Sequence, residues 1–284
     1  MVKIGIIGGG FVGKATHLLK CNRVDIIVYD IVPELCQPKG TKLSDLSECD
    51  LIFISVPTPM NADGSCHLNI LESVVNNLSE FLNLDESLVV VRSTVPPGTS
   101  DRLNCYFMPE FLTEKNFEYD FITSPEWIFG LKNTKQDDHF KKKISELFDE
   151  SYKASKIKSN KMTFLTNSEA ETVKMFRNAF LSTKISFCNE ISEFCNKKGI
   201  NYERMRDVAT RDKRIGGGHS KVPGHDGKCG FGGTCFPKDT KSFVSEMKKC
   251  GMKSYILSSV IERNETYDRK EKDWMKNKGR TVVE

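Results

Sequence analysis

The sequence predicts an α/β protein, with a doubly wound, mostly parallel sheet over residues 1–167 and an all-helical domain over 168–284. Three observations predict it. Short β-branched runs at 2–8, 24–30, 51–57, 88–94 and 127–130 alternate with helix-compatible stretches, the pattern of a parallel sheet with crossover helices. A glycine-rich turn closes the first run. From Ser168 onward Val173, Phe176, Phe180, Phe187, Ile191 and Phe194 recur at spacings of three, four or seven, a helical period held over many turns.

The first run ends in Gly8-Gly9-Gly10-Phe11-Val12-Gly13, which satisfies G-x-G-x-x-G between a strand and a helix. Gly8 allows the tight turn, Gly10 lets the backbone approach a pyrophosphate, and Gly13 lets helix and strand pack closely. The helix start at Phe11 and Val12 then faces the anion. Asp30 ends the second run, seventeen residues after Gly13, where a carboxylate accepts hydrogen bonds from the adenosine ribose. Ile31-Val32-Pro33 supplies no arginine for a 2′-phosphate. The expected fold is therefore Rossmann-like and the expected cofactor NAD. Ligands in such sheets bind beyond the carboxyl ends of the strands, so the residues just after each run are the first candidates for a site.

In the second half, Ser168 and Glu171 have the form of a capping box, placing a helix start and a domain boundary near Asn167. Gly199 should stop that helix, a shorter one should run from Tyr202 to about Thr210, and a glycine-dense loop occupies 216–233. Beyond Pro237 the chain reads as helical to its end, broken at Gly251, with a charged and partly frayed final stretch.

Lys174 and Asn178 are four apart and share a helix face; taken alone, the pair is better read as ordinary, with a solvent-facing lysine. Gly230-Phe231-Gly232-Gly233-Thr234-Cys235-Phe236-Pro237-Lys238-Asp239 is more specific. It puts Cys235 at a glycine-to-helix junction, where a helix N-terminus and a nearby lysine would lower the thiol pKa and glycines would admit a substrate. A buried structural cysteine is the alternative, and it suits most of the other cysteines. Zinc is disfavoured. His219, His225, Cys229 and Cys235 lie within one stretch, but five residues separate the two cysteines, against two to four in structural zinc pairs.

Composition excludes several classes. The net charge of +4 over 284 residues, with both signs interspersed, does not suggest a nucleic-acid partner. The longest apolar runs are too short to span a bilayer, and the N-terminus lacks the form of a signal peptide. Ten scattered cysteines without a C-x-x-C pair read as reduced thiols of a cytoplasmic protein.

Together these residues resemble the UDP-glucose/GDP-mannose dehydrogenase family. The marks are the glycine turn, Val56-Pro57-Thr58-Pro59, Ser93-Thr94-Val95-Pro96-Pro97-Gly98-Thr99, Pro109-Glu110-Phe111-Leu112, Lys174 with Asn178, Asn189-Glu190, and the segment 230–239. The resemblance implies oxidation of the C6 alcohol of a UDP-sugar, UDP-glucose to UDP-glucuronate first among them. Cys235 would attack the aldehyde, giving a thiohemiacetal and then a thioester that water releases. Lys174 and Asn178 would stabilise the oxyanion, Asp239 and Lys174 would position water, and Thr94, Glu110 and Glu114 would complete the proton-transfer network. Val56, Pro57, Thr58, Thr94 and Lys238 would join the glycine turn and Asp30 in holding NAD. Glu110, Phe111, Leu112, Phe231 and Gly232 would surround the substrate, with Arg214 reaching in from the partner of a homodimer, so that the helical domain is also the dimerisation domain.

Two departures stand out. Met108 occupies a position where serine or asparagine is common, and the sequence ends at Val282-Val283-Glu284, where relatives continue into a third domain over the nucleotide. The implied protein is a minimal dehydrogenase. Two other readings compete with it: a simple 3-hydroxyacid dehydrogenase, whose chemistry needs no cysteine, and a non-catalytic NAD-binding subunit that partners a full-length enzyme.

Overall fold

The computed structural model describes residues 1–283. The chain forms two compact units, one made of Met1–Thr58 with Leu68–Lys174, the other of Pro59–His67 with the residues from Met175 onward.

The first unit is built on strands β1 (Val2–Ile7), β2 (Val24–Tyr29), β3 (Leu51–Ile54), β4 (Val89–Val91), β5 (Tyr106–Phe107), β6 (Trp127–Leu131) and β7 (Met162–Thr166). They lie in the order β2-β1-β3-β4-β5-β6-β7. Neighbours are parallel except β5 and β6, which pair antiparallel through Phe107 and Gly130. Alternate residues feed opposite faces: Ile4, Ile6, Phe53 and Val90 pack into one core, and Ile7, Ile52, Ile54, Val89 and Val91 into the other. Helices α1 (Phe11–His17) and α5 (Asp137–Lys153) cover the first face, and α2 (Asn69–Ser79) the second. Short helices α3 (Thr99–Arg102) and α4 (Phe117–Ile122) complete the connections. Burial on both faces explains the near-continuous apolar runs. The chain leaves β1 toward β2 on one side and returns to β3 on the other, so the switch point falls between β1 and β3.

Strands β5 and β7 lie outside the runs read from the sequence. A two-residue strand has no periodicity to detect, and every residue of β7 is half-buried, which leaves little apolar alternation at this edge.

Helix α6 (Asn167–Lys198) begins one residue before the position expected from Ser168, and its cap is different. Thr166 N and Oγ1 donate to the Glu169 carboxylate at 2.8 and 2.9 Å, and Glu169 N returns a bond to Thr166 Oγ1 at 3.3 Å. The capping box is therefore Thr166 with Glu169. Glu171 instead accepts from Gly98 N at 2.6 Å and Ser100 N at 2.8 Å.

The second unit contains the rest of α6 with α7 (Tyr202–Ala209), α8 (Phe236–Lys249) and α9 (Ile256–Arg263). Among the described residues the final stretch is not helical throughout. After a π-turn at Asn264–Asp268 and a 3-10 turn at Asp273–Lys276, the chain returns to residue 60, where Met60 N donates to Thr281 O at 2.8 Å and Val283 N to Met60 O at 3.1 Å. Arg269, almost fully buried, pairs with Asp226 at 2.7 Å and Asp273 at 2.8 Å.

The periodic phenylalanines of α6 face away from the core of the chain. Phe176, Phe180, Phe187 and Phe194 are 52–63% exposed, whereas Asn178, Ser182, Ser186, Asn189 and Ser192 are buried. No helix among the described residues is long and apolar enough to cross a membrane.

Candidate active site

In the first unit, the glycine turn has the geometry its sequence demands. Gly8 sits at φ +98°, and a Cβ there would lie 2.4 Å from Ser55 O; a Cβ on Gly13 would lie 1.9 Å from Gly8 O. Gly10, by contrast, has nothing within 4 Å of the Cβ direction, so the cradle is open where a pyrophosphate would approach the start of α1. These residues fit a dinucleotide. Asp30 braces the turn in a way that its position in the sequence does not reveal: Oδ2 accepts from Gly9 N at 2.6 Å and Oδ1 from Val32 N at 2.8 Å.

Two of the motifs beyond the strand ends are tied together. Thr58 Oγ1 donates to Thr94 O at 2.7 Å, and Ser93 Oγ donates to Val56 O at 2.6 Å, with Pro57 between the two tethered residues. Arg92, just after β4, is missing from the candidates read in the sequence although it is fully buried. Burial depresses its pKa to about 10, partly offset by Glu110; its Nη1 donates to Thr16 Oγ1, and the guanidinium lies 5.6 Å from the Phe121 ring centre. A lone arginine ending an apolar run was the available signal.

Lys174 is not the solvent-facing residue of the ordinary reading. It is 3% exposed, and its Nζ donates to Glu110 O at 2.6 Å and Glu110 Oε1 at 2.8 Å. Glu110 Oε2 accepts from Leu112 N at 2.9 Å, and the Phe111 ring lies 5.7 Å from the ammonium. Glu110, Phe111, Leu112 and Lys174 are thus brought together within the first unit. Glu114 is exposed at the start of the 3-10 turn Glu114–Asn116.

In the second unit, Cys235 is the N-cap residue of α8, with Pro237 in the first turn, and Asp239 N donates to Cys235 O at 2.9 Å. Asp239 is 1% exposed; Asn178 Nδ2 donates to its Oδ2 and Lys238 Nζ to its Oδ1, each at 2.6 Å. Burial opposes the charge on Lys238, yet Asp239, with Cys235 and Cys66, raises its pKa above the ordinary lysine value. Burial pushes the thiols of Cys49 and Cys105 up to about 12, the condition of inert structural cysteines.

Phe231 and Gly232 line a cavity of about 650 Å³, together with His219, Lys221, Phe236 and Arg269. Burial, then Lys184 and His225, lower the pKa of His219. Arg214 is outside this lining. Its side chain is 89% exposed and forks onto Asp212 of the same chain, with Nη2 2.6 Å from Oδ2. Among the described residues no group of three His, Cys, Asp or Glu side chains is arranged to hold a metal.

Sheet order, switch point and glycine cradle define a dinucleotide-binding α/β protein with an appended helical unit. Two models of one family match it: the UDP-glucose/GDP-mannose dehydrogenase family NAD binding domain at residues 39–152 and the family's central domain at 168–266. The chain belongs to this family, and its cofactor is NAD. UDP-glucose 6-dehydrogenase of Rickettsia bellii is 32% identical over 231 residues, 78% of this chain and 50% of that protein. The chain thus spans about half the length of the curated relatives it matches. A UDP-glucose dehydrogenase structure from Pyrobaculum islandicum superimposes with TM-score 0.79 at 26% identity, covering 93% of this chain and 68% of that one. A Mycobacterium tuberculosis 3-hydroxyisobutyrate dehydrogenase superimposes with TM-score 0.72 over 96% of both chains, but at 13% identity, which speaks to the fold alone.

Proposed function

We propose that this protein oxidises the C6 alcohol of a UDP-sugar, UDP-glucose first among them, through the aldehyde to the acid. The observation that carries the reading is the cluster at the start of α8, where buried Asp239, bound by Asn178 and Lys238, lies one helical turn from the N-cap Cys235. Residues 1–167 serve as the NAD-binding domain and 168–284 as the central domain.

Bound at the glycine turn, NAD supplies the hydride acceptor. Gly8, Gly10, Gly13 and Asp30 hold it by turn geometry, close approach and ribose hydrogen bonds, aided by Val56, Pro57, Thr58, Thr94 and Lys238. Glu110 and Lys174 are positioned to exchange a proton, since their buried pair is joined by a direct hydrogen bond. With Thr94 and Glu114, Glu110 would carry the alcohol proton away as the first C6 hydride is lost to NAD, leaving the aldehyde. Cys235 Sγ then adds to the aldehyde carbon, and Lys174 and Asn178 stabilise the negative oxygen. The second hydride would pass to a second NAD, exchanged for the reduced first one, the carbon would become a thioester, and water positioned by Asp239 and Lys174 would release the acid and restore the thiol. The covalent stage keeps the aldehyde from escaping between the two oxidations.

In this reading the protein is a cytoplasmic homodimer. The exposed phenylalanine face of α6 suits a second copy, and Arg214 exchanges Asp212 for the substrate diphosphate across that dimer.

Cys235→Ser tests the mechanism. The variant should fold and bind NAD but produce no net acid, because a serine hydroxyl is a far weaker nucleophile at neutral pH. Lys174→Ala should be slow enough for mass spectrometry to find a sugar adduct on Cys235. Undiminished acid production by Cys235→Ser would remove the covalent step and favour a simple hydroxyacid-type dehydrogenase.

A further inference from the structure

Asn189 and Asn264 are buried, stand outside the machinery assigned above, and converge on two consecutive residues of the glycine loop. Gly230 N donates to Asn189 Oδ1 at 3.1 Å. Phe231 N donates to Asn264 Oδ1 at 2.8 Å, and Asn264 Nδ2 donates to Phe231 O at 2.9 Å. One amide thus satisfies both backbone groups of Phe231. Gly230 adopts φ +68°, and a Cβ there would lie 2.3 Å from Asn264 Oδ1, so this approach requires a glycine. Asn264 opens the π-turn that interrupts the helix after Arg263, a departure frequent at functional sites.

Asn189 lies eleven residues beyond Asn178 on α6, about three turns along the same face. Its Nδ2 donates to Ile185 O at 2.8 Å, which fixes the amide with its oxygen toward Gly230. That one helix face therefore holds the cysteine-bearing segment at both ends: Gly230 through Asn189 before Cys235, and Asp239 through Asn178 after it.

We infer that Asn189 and Asn264 are positioning residues that fix the path of residues 230–235 and so present Cys235 at the N-terminus of α8; the inference rests on Cys235 being the nucleophile. Neither asparagine touches substrate. Each acts through the loop, and their joint loss leaves buried backbone groups of Gly230 and Phe231 unpaired.

The test uses the full chain and three variants: Asn189→Ala, Asn264→Ala, and Asn189→Asp, which keeps an oxygen acceptor for Gly230 N. Alkylation of Cys235 by iodoacetamide is followed across pH by peptide-resolved mass spectrometry, alongside kcat, KM, NAD affinity and melting temperature. In the alanine variants the alkylation midpoint should move to higher pH as the thiol leaves the helix N-terminus. Their kcat should fall about a hundredfold, the scale of loss when a reacting group is misplaced by about an ångström, while NAD affinity is unchanged. Asn189→Asp should recover part of both losses. Alanine variants with wild-type alkylation profiles and kcat would overturn the inference, as would a joint loss of kcat, NAD affinity and melting temperature. If Asn264→Ala does not fold, the Asn189 pair decides. Alkylation needs no turnover, so a wild-type protein inactive on every sugar nucleotide would sink the proposed function and leave the clamp to be judged by the thiol profile.

Discussion

Asp30 accepts from Gly9 N and Val32 N, and in the proposed function it also holds the ribose of NAD. Asp30→Ala should therefore do more than narrow the preference for NAD over NADP: it should also weaken NAD itself, because the turn loses its brace. Calorimetry with both cofactors checks this, and unchanged NAD affinity would contradict it. Glu110 and Lys174 are a buried ion pair, and breaking such a pair from one side destabilises the fold; Glu110→Ala should lower stability in chemical denaturation. Glu171 follows a different rule. Burial raises its pKa to about 7, against the hydrogen bonds from Gly98 and Ser100. The folded state therefore takes up a proton that the unfolded state lacks between the ordinary glutamate value and pH 7, and this group's contribution to stability declines as pH rises through that window. The melting temperature of wild type relative to Glu171→Gln should be highest near pH 5 and fall toward pH 8. Sequence alone could offer Lys174 and Asn178 as a pair on one face, but could not say that this face is the buried one, because burial is decided by partners more than sixty residues away, at Glu110 and Asp239.

Among the elements, strand β1, its glycine turn and helix α1 were the most legible, since each glycine answers a local steric demand. Gly13→Ala would drive a methyl group into Gly8 O, and overpacking of this kind destabilises by about 1–3 kcal/mol; a lower melting temperature together with lost NAD binding is expected. Helix α6 was legible as a helix but not in its orientation. Its period is carried by Phe176, Phe180, Phe187 and Phe194, which an isolated sequence assigns to a core, yet within the chain the serines and asparagines point inward. The cap was displaced for a related reason: Ser168-x-x-Glu171 satisfies the pattern, but Glu171 serves the Gly98 and Ser100 amides, and Thr166 with Glu169 takes the cap. Sedimentation of Phe180→Asp and Phe187→Asp variants checks whether the outward face binds a second copy. The variants should be monomeric at concentrations where wild type is dimeric, and a wild-type protein that is monomeric throughout would contradict the assignment.

At the scale of the molecule, alternating apolar runs gave the sheet and a sustained helical period gave the second unit, whereas the closing segment 269–283 was misread as helix. Its charged residues look solvated in sequence, but Arg269 is buried between Asp226 and Asp273, and the chain end pairs with residue 60; neither contact leaves a local signature. The cavity beside Phe231 and Gly232 draws on this segment, since Arg269 lines it, so the shape of that cavity depends on residues far apart in the sequence of the second unit. The most direct test is stoichiometric: purified protein is incubated with NAD and a panel of UDP-sugars, and reduced cofactor and released acid are counted together. A four-electron oxidation by way of the Cys235 thioester predicts about two reduced cofactors per acid, with UDP-glucose the preferred substrate and no free aldehyde. One reduced cofactor per substrate with aldehyde or ketone accumulating, or NAD binding without turnover of any sugar nucleotide, would contradict it.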